Sequence, residues 1–298
     1  MTKIAKLSIL LSFLGLWLIS FIKNEIQIIV GFILILSFGI CHGANDLLLI
    51  KKIYSEESKS YWKILFKYLI IVLVAAVLFI LIPSLAMVLF IVVSSYHFGE
   101  QHWENKIIYF NKIMITSFYT IYGLFILLLL FQFHTKEVIA ILYEITHINL
   151  AFVNFTLLLI VDGLLLIALC LYSCYFSKEF QKNLVIELLY LLVFAIIFKV
   201  GSLIWAFTIY FIFWHSIPSL VNQIKFLYGT VTFPNFKCYI KSAFAYWLIS
   251  IIGIFVLYFL LKGYKIFDSI FFSFLAAITF PHVFVIERMF NTKQKKTE

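Results

Sequence analysis

Ten stretches of about twenty mostly apolar residues decide what this chain can become. They run over 5–22, 26–50, 62–81, 84–103, 113–133, 153–175, 184–200, 202–221, 242–261 and 270–291. A stretch of that length crosses the hydrocarbon core of a bilayer as an α-helix. In lipid a helix satisfies its own backbone polar groups, which an open strand does not. The weakest separations are Lys199–Gly201 and the Pro83 region, so the expected count is about eight to ten spans. The alternating ten-residue pattern of a membrane β-barrel is absent. Residues 134–152 are mixed in character and read as a loop or a helix lying at the interface. The expected fold is all-α: a polytopic integral membrane helix bundle, with 1–298 as a single transmembrane catalytic domain.

Composition supports a bilayer setting, because 64% of the 298 residues are hydrophobic and 12% are charged. A soluble domain is nearer half apolar and a quarter charged. The net charge of +9 is therefore a topology signal and gives no reason to expect nucleic acid. With ten spans both termini fall on one side. That side collects 18 of the 23 Lys and Arg, and only Lys23, Lys136, Lys199, Lys262 and Lys265 lie opposite. By the positive-inside rule both termini are expected in the cytoplasm of a multi-pass cell (inner) membrane protein. The first apolar stretch is followed by "FIKNE" and no small-residue cleavage site, so it reads as a span rather than a signal peptide. Four cysteines, Cys41, Cys170, Cys174 and Cys238, form no zinc-type pair. There is no phosphate-binding glycine loop and no GxSxG.

The chemistry lies in "ILSFGICHGANDLLLI", where His42 and Asp46 interrupt an apolar run. Ionisable groups at such depth are costly and usually functional. Of seven histidines, His134 and His147 fall in the outer loop and His102 at a span end; these read as interfacial. His42, His97, His215 and His282 fall in four different spans, each expected to run from outside to inside. Their distances from the cytoplasmic ends agree to within roughly one helical turn. A layer of imidazoles at one depth suits a metal such as iron, copper or zinc. A proton relay would be staggered across the membrane. Asp46, four residues after His42, is expected on the same helical face, able to hydrogen-bond a ligand imidazole from this helix or a neighbour. Glu100 and Gln101 stand three and four residues after His97 and can act likewise. Gly43 and Gly99 permit close helix approach. Pro218 and Pro281 lie beside His215 and His282. Tyr96, Phe98 and Trp214 flank the histidines. Asp162, in the sixth span, is a fifth oddity that the sequence does not connect to the layer.

Four motifs carry a resemblance. "CHGANDL" (41–47), "SSYHFGEQHW" (94–103), "FWHSIPSL" (213–220) and "PHVFVIERM" (281–289) resemble the Brp/Blh family of integral-membrane β-carotene 15,15′-dioxygenases. Members of that family use histidine-held iron to cleave the central double bond of β-carotene with O2, giving two retinals. The resemblance implies Fe(II) as cofactor, with His42, His97, His215 and His282 as the matching ligands. It implies β-carotene and O2 as substrates met in membrane lipid, and a functional link to a retinal-binding rhodopsin. The third motif departs from some members, which carry a second histidine where this chain has Ser219. The non-enzyme alternative is a membrane transporter, translocating protons or metal through an intramembrane His/Asp cluster. Its polar groups would continue through both halves of the membrane, and here the outer half is nearly bare.

Overall fold

The structure, a computed structural model, describes residues 1–54, 61–104, 106–107, 110–261 and 267–294. Lys59, Lys262, Lys265, Lys295 and Lys296 of the topology count lie outside the described residues. No strand occurs among the described residues. The helices are α1 (Lys3–Ile19), α2 (Asn24–Leu34), α3 (Asp46–Ile53), α4 (Tyr61–Leu81), α5 (Pro83–Trp103), α6 (Lys112–Phe133), α7 (Thr135–Thr146), α8 (Phe155–Phe176), α9 (Lys178–Val200), α10 (Leu203–Ile209), α11 (Ile217–Tyr228), α12 (Phe233–Leu261) and α13 (Phe267–Gln294). Helix α2 runs into a π-helical turn, Ile35–Gly39, and a second π turn, Tyr210–Ser216, joins α10 to α11.

Among the described residues seven helical segments are long and apolar enough to cross a membrane, one of them running from α10 through the second π turn into α11, and Asn24–Gly39 and Leu65–Leu81 are shorter apolar helices. Large apolar side chains such as Phe66, Ile80, Ile113, Leu164, Val185 and Ile249 are exposed along them. In water such a surface would drive aggregation; in lipid it is solvated. The chain is a polytopic membrane helical bundle. The stretch 134–152 contains a regular helix, α7, rather than only a loop.

The chain divides into two compact units. The first comprises Met1–Ile35, Ile91–Ala140 and Asn149–Pro218. Its core is aromatic, with Trp103, Phe118, Tyr122, Phe180, Phe194, Phe198 and Tyr210 buried together. Within it the C-terminal half of α5 meets α6 at two glycines. A Cβ on Gly99 would lie 1.9 Å from the Tyr119 carbonyl oxygen, and one on Gly123 would lie 1.8 Å from that of Ser95. Only glycine permits this approach, which is how membrane helices gain packing contact without a hydrophobic driving force. The second unit comprises Leu36–Phe90, Ile141–Ile148 and Ser219–Glu298. Its core joins Leu49, Ile224, Tyr239, Ile286, Met289 and Phe290, with α13 packed on α3 and α4.

Candidate functional site

The apolar stretch 26–50 is not one helix. It passes through the π turn, ends at Cys41, turns through residues 42–45 and restarts at Asp46. A π turn takes carbonyls out of line with the helical ladder, and such turns gather at functional sites. Here side chains take the displaced carbonyls. The Trp247 indole donates to Leu36 O at 2.9 Å, and His42 Nδ1 bonds Gly39 O. A carbonyl only accepts, so Nδ1 carries the hydrogen and the lone pair of His42 sits on Nε2.

His282, on α13, is set the same way. Its Nδ1 donates to Asp46 Oδ1 at 2.8 Å, and the Tyr68 hydroxyl donates to Asp46 Oδ2 at 2.9 Å. Asp46 is 1% exposed. The His282 lone pair is therefore also on Nε2. The two rings meet edge to face, with centroids 4.8 Å apart and planes at 83°. Asp46 and His42 do not share a helical face as expected, because the turn at 42–45 separates them. The carboxylate serves the imidazole of the neighbouring α13 instead. Gly43 accommodates that ring, its missing Cβ falling 3.5 Å from His282 Nδ1.

The first unit holds the other pair. His97, on α5, and His215, in the second π turn, meet edge to face at 4.7 Å and 79°. Phe98 and His215 meet edge to face at 4.9 Å, and Phe211 stacks on His215 at 5.4 Å. Carbonyls of this π turn are again taken by side chains: Phe211 O by Ser216 Oγ at 2.7 Å and Phe213 O by Ser8 Oγ at 2.6 Å. Glu100 Oε2 lies 3.6 Å from His97 Nδ1, and its Oε1 accepts from the Tyr96 hydroxyl at 3.0 Å. Gln101 is half-buried, and its Oε1 has no hydrogen-bond partner among the described residues. Trp214 turns into the aromatic core, donating to Ser12 Oγ at 2.9 Å.

Two histidines differ from their interfacial reading. His102 is buried with Glu187 of α9, its Nδ1 3.5 Å from Oε2. Lys106 Nζ reaches Glu187 Oε1 at 2.7 Å, and the Tyr122 hydroxyl donates to Oε2 at 2.8 Å. His134 is also buried, its Nε2 donating to Phe198 O at 2.8 Å. Neither Tyr68 nor Glu187 stands out in the sequence: Tyr68 is one of 17 tyrosines, and Glu187 follows the polar start of α9, residues 178–183.

His42, His97 and His282 are buried and each offers a ring nitrogen able to ligate a metal ion. The donor chemistry fits one. Metal-binding imidazoles almost always give their other N–H to a carboxylate, a backbone carbonyl or water, and His42 and His282 do so. The family model described as beta-carotene 15,15′-dioxygenase matches residues 33–290. The chain belongs to this family. All four motif histidines fall inside the matched span of the β-carotene 15,15′-dioxygenase family, as do Asp46, Glu100 and Gln101. No curated protein and no solved structure matches the chain.

Proposed function

We propose that the chain cleaves the 15,15′ double bond of β-carotene with O2, using Fe(II) held by His42, His97, His215 and His282. The observation that carries this reading, beside family membership, is the state of the imidazoles. Two edge-to-face histidine pairs are buried, and in one pair both Nδ1 atoms are tied to acceptors. Each Nε2 of that pair therefore carries the ring's lone pair, the form a metal ligand requires. Iron, when bound, supplies the redox chemistry that lets O2 react with a closed-shell double bond.

The remaining tasks belong to the protein. Asp46 keeps the His282 proton on Nδ1 and raises that ligand's basicity. Glu100 Oε2 stands 3.6 Å from His97 Nδ1, near enough for electrostatic attraction but beyond hydrogen-bond length. The low-dielectric surroundings exclude bulk water, and Phe98 and Phe211 wall His215 with aromatic faces. Such faces attract positive charge developing on an oxidised polyene. The reaction balances without another reagent: the carbon–carbon double bond breaks, and each carbon takes one oxygen atom of O2. The substrate dissolves in the bilayer, so a multi-pass chain with both termini cytoplasmic in the cell membrane meets it there. The product retinal suits transfer to a retinal-binding rhodopsin.

Expression in cells that accumulate β-carotene tests the reading. Loss of colour with matching retinal is expected. Inserted protein that leaves β-carotene intact, or that moves metal ions across the membrane instead, would overturn it.

A further inference from the structure

The turn at residues 42–45 leaves a backbone problem inside an apolar region, and its solution points to a role for Gln223. A continuous helix would give the Asp46 N–H to the His42 carbonyl. That N–H bonds Gly43 O at 3.3 Å instead. The His42 carbonyl is taken by Gln223 Nε2 at 2.8 Å. Gln223 is 0% exposed, and every part of its amide is engaged. Its second N–H donates to Ser219 Oγ at 3.1 Å, and its Oε1 accepts from the Tyr239 hydroxyl at 2.7 Å. The Tyr239 oxygen also lies 3.2 Å from the His42 carbonyl. The other end of the turn is tied to the same helix. Asn45 Nδ2 donates to the Tyr239 carbonyl at 3.0 Å, and Ser242 Oγ donates to Asn45 Oδ1 at 2.9 Å.

A primary amide placed between a carbonyl and a hydroxyl satisfies both in one orientation only. We infer that Gln223 is a positioning residue for His42. It clamps the His42 peptide from α11 while Gly39 clamps the ring, so that Nε2 projects in one direction. Ser219 and Tyr239 hold the clamp itself. This rests on the reading of His42 as a metal ligand, and it extends the site to residues that never touch the metal.

The test uses full-length protein in detergent, with nitrogen-15-labelled histidine and Co(II) as the metal probe. Gln223→Met keeps the side-chain length and removes every hydrogen-bonding group. Tyr239→Phe removes only the hydroxyl that orients the amide. In the metal-free parent, the His42 resonances, identified by their loss in His42→Ala, should report a single Nδ1–H tautomer. In Gln223→Met they should shift and broaden, and Co(II) affinity should fall about 10–100-fold, the usual cost of losing an outer support of a ligand. Tyr239→Phe should move both readouts in the same direction by less. Parent-like His42 resonances, or parent-like Co(II) affinity, in Gln223→Met would overturn the inference. If that variant does not fold, the same results in Tyr239→Phe overturn it. A parent that binds no Co(II), with His42 resonances still perturbed by Gln223→Met, would sink the metal reading and leave the clamp standing.

Discussion

At Asp46 one buried carboxylate accepts two hydrogen bonds, from His282 and from Tyr68. Removing its charge without changing its shape separates its possible roles. Asp46→Asn should leave inserted protein whose iron retention and retinal yield fall about 10–100-fold. Asp46→Ala should be worse, because it leaves a void and strands the Nδ1–H. Tyr68→Phe should cost less than either, since the bond to His282 survives. Iron per chain and retinal per cell measure all three. If Asp46→Asn matched the parent, the carboxylate would be packing only; if it matched His282→Ala, it would be a direct ligand. The residues of this group differ in how visible they are in sequence. Asp46 is conspicuous because a carboxylate in an apolar run needs a reason. Tyr68 is not, because tyrosine is common in membrane helices and its hydroxyl finds Asp46 only once α3 and α4 are packed. Gln223 gave no signal: it falls just past the apolar stretch 202–221, between Asn222 and Lys225, where polar residues mark a span end, and nothing in sequence links it to His42.

Helix α5 is fixed by contacts of two kinds, and each gives a prediction. Gly99 and Gly123 let α5 and α6 approach until carbonyl oxygens occupy the space of a Cβ. Gly99→Ala or Gly123→Ala should cost about 1–3 kcal/mol by overpacking, read as a lower unfolding midpoint in detergent. Gly163→Ala should cost less, because its nearest neighbour is a Phe125 ring carbon at 3.2 Å that can swing away. Equal costs would mean that the backbone contact is not what matters. Beyond Gly99 the helix end is held by Glu187 beneath His102, Lys106 and Tyr122. Glu187→Ala strands buried polar partners and should destabilise by about 3–5 kcal/mol; a change under one unit would show the network to be idle. The positions of the spans were legible because bilayer thickness imposes a length on apolar runs. Their interruptions were less so. The apolar stretch 26–50 is long enough to read as one helix, and nothing in its period announces a π turn or a restart at Asp46. The stretch 242–261 understates α12, which begins at Phe233, because apolarity marks where lipid lies and not where a helix starts.

For the whole chain, metal removal is the decisive manipulation. Chelation of the purified protein should abolish retinal formation, and Fe(II) should restore it with about one iron per chain if the four imidazoles form a single site. Single replacement of His42, His97, His215 or His282 by Ala should do the same in β-carotene-producing cells. His147→Ala, just past the end of α7, should leave retinal yield unchanged. Activity surviving in any of the first four removes that residue from the ligand set. Family and class were readable at this scale because four motifs stand in order along the chain; the pairing of their histidines was not, since it depends on how distant helices pack. That distance also bears on how the protein is made. The His42 carbonyl waits for a donor 181 residues further along the chain, which at ordinary synthesis rates takes roughly ten to forty seconds to emerge. Until then the broken second span carries unsatisfied peptide groups into lipid. A chain cut short before Gln223 lacks that donor, and it is expected to turn over faster in the membrane than the full chain, which a pulse-chase comparison would read.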